Sequence, residues 1–113
     1  MKRVVAIIQP ERLPEVKQAL FNAEITKMTI SRVKGCGQQM GYSASYRGQV
    51  REVNLLEKIR IGIVVNDDYV DATVDAIIKG ARTDTIGDGK IFIMPLEECI
   101  RIRTGENGTK AVG

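Results

Sequence analysis

Six residues could do chemistry together: Gly87, Asp88, Gly89 and Lys90 in "GDGK", then Arg101 and Arg103 in "CIRIR". Glycines let backbone N–H groups come close to an anion, and concavities of this kind bind phosphate. Residues two apart on a strand share a face, so a strand through "CIRIR" points Arg101 and Arg103 together and turns Ile100 and Ile102 away. Arginine offers a fork of donors matched to phosphate oxygens, and lysine a point charge beside it. Charge-assisted hydrogen bonds contribute about 1.5–3 kcal/mol each, so three cations and the turn amides reach the roughly 8 kcal/mol of micromolar binding. From these residues alone the alternative is an edge strand whose arginines are solvated or keep other strands away.

The chain around them, 113 residues long, 43% hydrophobic and 27% charged, reads as one domain spanning 1–113 with enough apolar bulk for a core. No apolar run approaches the roughly 18 residues of a membrane span, and "MKRVVAIIQPERL" reads as a first strand and not as a signal peptide, so a cytoplasmic location is expected. Cys36 and Cys99 lack CxxC spacing and are expected to be thiols with buried or backbone roles, not a disulfide. The absence of His removes the commonest general base and metal ligand. A net charge of +3 is mild for a nucleic-acid binder.

Apolar periodicity supplies the elements. "RVVAII" (3–8) reads as a buried strand. Pro10 and Pro14 bracket the start of a helix whose stripe is Leu13, Val16, Leu20 and Ala23. "ITKMTISRVK" (25–34) alternates, as does "KIRIGIVV" (58–65), so both are expected strands. Asp67 or Asp68 is the expected cap of a second helix with Val70, Val74, Ile77, Ile78 and Ala81 buried. "KIFIM" reads as a fourth strand after a glycine turn at 82–90, and "CIRIR" as a short fifth opening a C-terminal strand and tail, 101–113. The order predicts an α+β, ferredoxin-like βαββαβ sandwich, with two helices on one face of an antiparallel sheet. About twenty residues between Gly35 and Glu57 show neither period, which is long for a hairpin connection and reads as a functional, mobile arm.

The blocks "AII.P..L..V..AL", "T...V.G.G.Q.G", "YRG", "IVV.DD.VD..V..I" and "T..IGDGKIF", followed by "IRIRTGE", occur in order over nearly the whole chain. On them the sequence resembles the PII nitrogen-regulatory signal-transduction family. The resemblance implies a homotrimer with nucleotide sites between neighbouring subunits, holding ATP or ADP. It implies phosphate contacts from Gly87, Asp88, Gly89, Lys90, Arg101 and Arg103, and adenine contacts from Ile7, Thr29 and Val64. Gly35, Cys36, Gly37 and Gln38 match the loop base that meets the phosphates. Gln39 and Lys58 match positions used to sense 2-oxoglutarate through Mg2+ on ATP, with Gln39 as the metal ligand and Gly37 and Gly41 flanking it. Magnesium suits such a site, since it takes hard oxygen ligands and accepts phosphates in its shell. The arm, 37–55, resembles the family's partner-binding loop, which implies an ammonium channel or another nitrogen-regulated protein as partner, and contact with a membrane only through a transporter. Effectors would act by holding different loop states.

The sequence also departs from the family pattern. Arg51 stands where many bacterial members carry a modifiable tyrosine, so tyrosine modification there is excluded, and Gln49 replaces a phosphorylated serine. Tyr46 remains, and Arg47 keeps the place of a residue that plugs the channel. Gln38 replaces an arginine beside the phosphates, Gly62 a glutamate at the adenine wall, and Asp84 and Thr85 a Gly-Lys pair. These changes leave open whether ATP or ADP is preferred and whether 2-oxoglutarate is sensed. The alternative within the superfamily is an adenylate sensor indifferent to 2-oxoglutarate that serves another transporter or enzyme. An RNA-binding module of the same element order would need strand aromatics that "RVVAII" lacks, so no nucleic-acid partner is expected. An enzyme acting on phosphates would need a general base or nucleophile that the sequence does not provide.

Overall fold

The computed structural model of the chain describes residues 1–36 and 55–113 in full, and the backbone of 43–46 and 49–52 between them. Strand β1 (Lys2–Ile8) leads through a single 3-10 turn at Pro10–Arg12 into α1 (Leu13–Asn22). Then come β2 (Thr29–Gly35), β3 (Ser43–Tyr46), β4 (Gln49–Glu52), β5 (Leu56–Val65), α2 (Val70–Ala81), β6 (Lys90–Pro95) and α3 (Thr109–Val112). The main sheet runs β2-β5-β1-β6, and β3 pairs with β4 alone. Every neighbouring pair is antiparallel, so β1 and β2 are parallel with β5 between them. This is the split βαβ, ferredoxin-like arrangement the element order predicts.

Strand alternation divides the sheet into two faces. Val4, Ala6 and Ile8 of β1 and Ile59, Ile61, Ile63 and Val65 of β5 lie beneath the helices and are buried. From above, Val16 and Leu20 of α1 and Ala76, Ile77 and Ala81 of α2 close the core. A fully buried aliphatic side chain contributes roughly 1.5–3 kcal/mol, which makes this face the main source of stability. The other face has no helix over it. It carries Arg3, Val5 and Ile7, then Lys58, Arg60, Gly62 and Val64, with Thr29, Ser31 and Val33 on one side and Lys90, Phe92 and Met94 on the other, as the strand pairing dictates. Phe92 and Val64 are exposed there.

Several expectations change. Residues 25–28 precede β2 instead of belonging to it, with Ile25 folded into the core. The buried stripe of α2 is Thr73, Ala76, Ile77, Gly80 and Ala81, so Val70, Val74 and Ile78 lie at its margin, because Gly80 lets α1 approach closely on that side. Neither Asp67 nor Asp68 caps α2 through its side chain. Asp67 instead accepts the Met1 ammonium at 2.8 Å. Cys99 is a free thiol, as expected, and Cys36 is exposed and not buried. The segment without a clear period contains the β3–β4 ladder. "CIRIR" is no strand: only Ile100 forms a bridge, to Asn107, and a turn follows. The reason is local, since Gly105 in the left-handed region (φ 72°) returns its N–H to the Arg101 carbonyl at 2.7 Å.

Candidate functional site

The glycine turn is built by its own side chains. The Asp88 carboxylate accepts the backbone N–H of Thr83 at 2.7 Å and of Asp84 at 2.9 Å, and also the hydroxyls of Thr83 and Thr85. The Thr83 hydroxyl, then these N–H groups, hold its carboxyl down at about 2. Asp84 adopts a left-handed φ of 63°, a conformation Asp tolerates, while its N–H is held by Asp88. Gly87 and Gly89 have φ of 105° and 106°. At Gly89 a Cβ would stand 1.8 Å from the Ile7 carbonyl oxygen, so only glycine lets the turn lie against β1.

That contact sets Lys90, exposed at the start of β6, beside Ile7 in register. Lys58 is nearly buried and donates from Nζ to the Gly87 carbonyl at 3.3 Å. Gly35 ends β2 close by, where a Cβ would be 3.8 Å from Lys58 Cγ, and Cys36 follows it. Ile7, Gly35, Cys36, Lys58, Gly87, Asp88, Gly89 and Lys90 therefore gather at one end of the sheet. Gly37, Gln38, Gln39 and Gly41 lie outside the described residues.

The remaining predicted residues are elsewhere. Thr29 pairs with Gly62 on the far edge strand, and Val64 pairs with Arg3. The strand order puts Thr29 three spacings, about 14 Å, from the line of Lys90. Beyond β6, Leu96 bonds to Met1, so the chain leaves the sheet at the end opposite the glycine turn. Arg101 sits there. Its guanidinium donates to Glu106 at 3.1 Å and to the Lys110 carbonyl at 3.0 Å. Helix α3 is tied to that end by Asn66, which donates to the Thr109 carbonyl at 3.3 Å, while Gly113 lies beside Lys27. Arg103 is exposed on the turn that follows. Arg101 and Arg103 thus accompany Thr29 and Val64, not Lys90. The predicted site residues of one chain thus fall into two groups at opposite ends of its sheet.

Sequence reading missed the partners of two site residues. Thr83 and Thr85 with Asp88 form a hydroxyl-and-carboxylate turn of the kind "TDTIGD" signals. Glu106, five residues after Arg101, has no periodic signature, because a turn and not an element brings it back. Among the described residues no group of three or more acidic, Cys or His side chains could hold a metal. A magnesium ion here would fit only with phosphates supplying most of its oxygens.

Comparison with known proteins agrees with this fold. Residues 1–106 match the family model described as "Nitrogen regulatory protein P-II". The nitrogen regulatory protein P-II of Nostoc punctiforme is 56% identical over 112 residues, covering 99% of this chain and 100% of that one. Nitrogen regulatory protein P-II 2 of Methanothermobacter thermautotrophicus is 54% identical, covering 99% and 97%. Nitrogen regulatory protein GlnK1 of Methanosarcina mazei is 48% identical over 114 residues, with the same coverage. Across nearly its full length, then, this chain belongs to the nitrogen regulatory protein P-II family.

Proposed function

We propose that the protein is a non-enzymatic sensor that binds ATP or ADP between subunits of a homotrimer and regulates a nitrogen-related target through residues 37–55. The observation that carries this reading is the separation of the half-sites. The turn amides and Lys90 suit a phosphate chain, and Thr29 and Val64 suit a base, yet they lie at opposite ends of one sheet. One copy offering its turn edge to the Thr29 edge of the next would unite them. Such a head-to-tail contact is heterologous, and it closes into a ring. Arg101 and Arg103 would then reach the phosphates from the neighbour, with Arg101 exchanging Glu106 for a phosphate oxygen.

In this reading 2-oxoglutarate joins through Mg2+ on ATP, held by Gln39, with Lys58 pairing a carboxylate of the effector. Family membership supports nitrogen regulation, and an ammonium channel is the partner we favour, with the protein acting from the cytoplasm. No helix among the described residues is long and apolar enough to cross a membrane.

Isothermal titration tests the reading. ADP and Mg-ATP are expected to bind at one site per chain, and 2-oxoglutarate to give heat only with protein loaded with Mg-ATP. Gln39→Ala should abolish the 2-oxoglutarate signal and spare ADP. If 2-oxoglutarate gives no heat with wild-type protein while ADP binds, the chain senses adenylates alone. If neither nucleotide binds, the proposal is wrong.

A further inference from the structure

The open face of the sheet has an unbalanced charge that the nucleotide reading leaves standing. Strand pairing places Arg3, Lys58, Arg60 and Lys90 on this face, and no Asp or Glu of the four strands accompanies them. Lys58 and Lys90 adjoin the glycine turn. Arg3 and Arg60 do not, and neither side chain forms a hydrogen bond or ion pair among the described residues. Between them lies a cleft of about 170 Å³, lined also by Thr29, Ser31, Gly62 and Val64. A water molecule's share of liquid is about 30 Å³, so the cleft has room for a small oxyanion.

Its chemistry is one-sided. Two guanidiniums can each present two N–H donors, two hydroxyls can turn to donate, and no carboxylate lines the walls. Gly62 forms the floor between the arginines. A Cβ there would meet nothing nearer than the Thr29 carbonyl at 4.0 Å, so the space over it is open. Like charges held on one face repel, and forked donors around an open floor are satisfied best by a tetrahedral oxyanion.

We propose that Arg3 and Arg60, with Thr29 and Ser31, form a phosphate-binding site over Gly62, separate from the glycine turn. The phosphate comes either as the free ion or as a group esterified to the ribose of a bound nucleotide. The site uses neither Lys90 nor Arg101, but it shares Thr29 and Val64 with the base pocket of the proposed function, and its esterified form rests on that reading.

The test is thermal unfolding and isothermal titration of the full chain with potassium phosphate against potassium chloride of equal ionic strength. A second arm compares adenosine 3′,5′-bisphosphate with ADP. For free phosphate, the expected result is a phosphate-specific rise in Tm that Arg3→Gln and Arg60→Gln each weaken at least about tenfold in affinity and that Lys79→Gln, an exposed change on α2, leaves in place. For esterified phosphate, free phosphate is inert and the bisphosphate binds more tightly than ADP, an advantage that the same two substitutions remove. Gly62→Glu supplies an internal carboxylate. It should raise Tm in phosphate-free buffer and cancel the ligand effect, whereas Gly62→Gln should not raise it. The proposal is overturned if both arms are silent, if Arg3→Gln and Arg60→Gln change nothing, or if Lys90→Gln alone removes the response.

Discussion

Asp88 shows how a side chain can shape a candidate binding turn from within. A sequence reading puts "GDG" at the phosphates as a unit, but the carboxylate faces inward to the N–H groups of Thr83 and Asp84 and to two hydroxyls. It fixes the turn so that Gly87, Gly89 and Lys90 hold their places, and its charge is already used. Its pKa falls from 3.8 to about 2 on folding, with the Thr83 hydroxyl as the largest cause. A depressed carboxylate contributes stability that is complete above the unfolded value and is lost as pH falls through the folded one. The stability of the turn should therefore decline between about pH 4 and pH 2. Measured as Tm against pH over that window, Asp88→Asn should be less stable than wild type at neutral pH and show a shallower acid slope. An unchanged slope would mean that the carboxylate does not hold the turn.

At the level of elements, the crossing of α1 and α2 is set by Gly80. A Cβ there would lie 2.6 Å from the Val16 Cα and 2.7 Å from its N, both backbone atoms that cannot rotate aside. Arg12 secures the same place by donating from Nε to the Gly80 carbonyl at 2.9 Å. In an exposed helix Gly→Ala gains up to about 1 kcal/mol, but forcing packed elements apart costs roughly 1–3 kcal/mol. Gly80→Ala should accordingly destabilise the protein in urea unfolding, by about 1–2 kcal/mol, and a stabilised variant would show that the helices have slack. The sequence carried the elements well wherever one face met a core. Alternation in 58–65 and the Val16–Leu20 stripe were legible because burial imposes a period. "CIRIR" alternates equally well yet is a turn, because Gly105 closes the chain on Arg101. The tilt of α2 was not legible either, since it depends on a glycine that periodicity counts as a gap. Which site residues meet was hidden for a different reason. Thr29, Val64, Arg101 and Lys90 are all in the sequence, but a motif does not say that they belong to opposite ends of one sheet.

The whole molecule makes sense of that division only when more than one copy is considered. The sheet face without helices keeps Phe92 48% exposed and Val64 37% exposed, with Ile7 and Met94 half-buried on the same face. Exposed apolar side chains on a sheet face that no helix covers fit a contact with another copy. If that contact is the ring that unites the half-sites, oligomerisation and nucleotide binding must fail together. Phe92→Asp tests the link, because Phe92 belongs to neither half-site while a carboxylate at its position would be costly to bury. By light scattering the wild type should have three times the 12.5 kDa mass of one chain, and the variant should fall toward a single chain. ADP affinity should drop at least about tenfold in the same preparation, as the turn loses its neighbouring base pocket and arginines. A variant that is monomeric but binds ADP as tightly as wild type would show that one chain suffices for the site. A variant that stays trimeric would place the contact on some other surface.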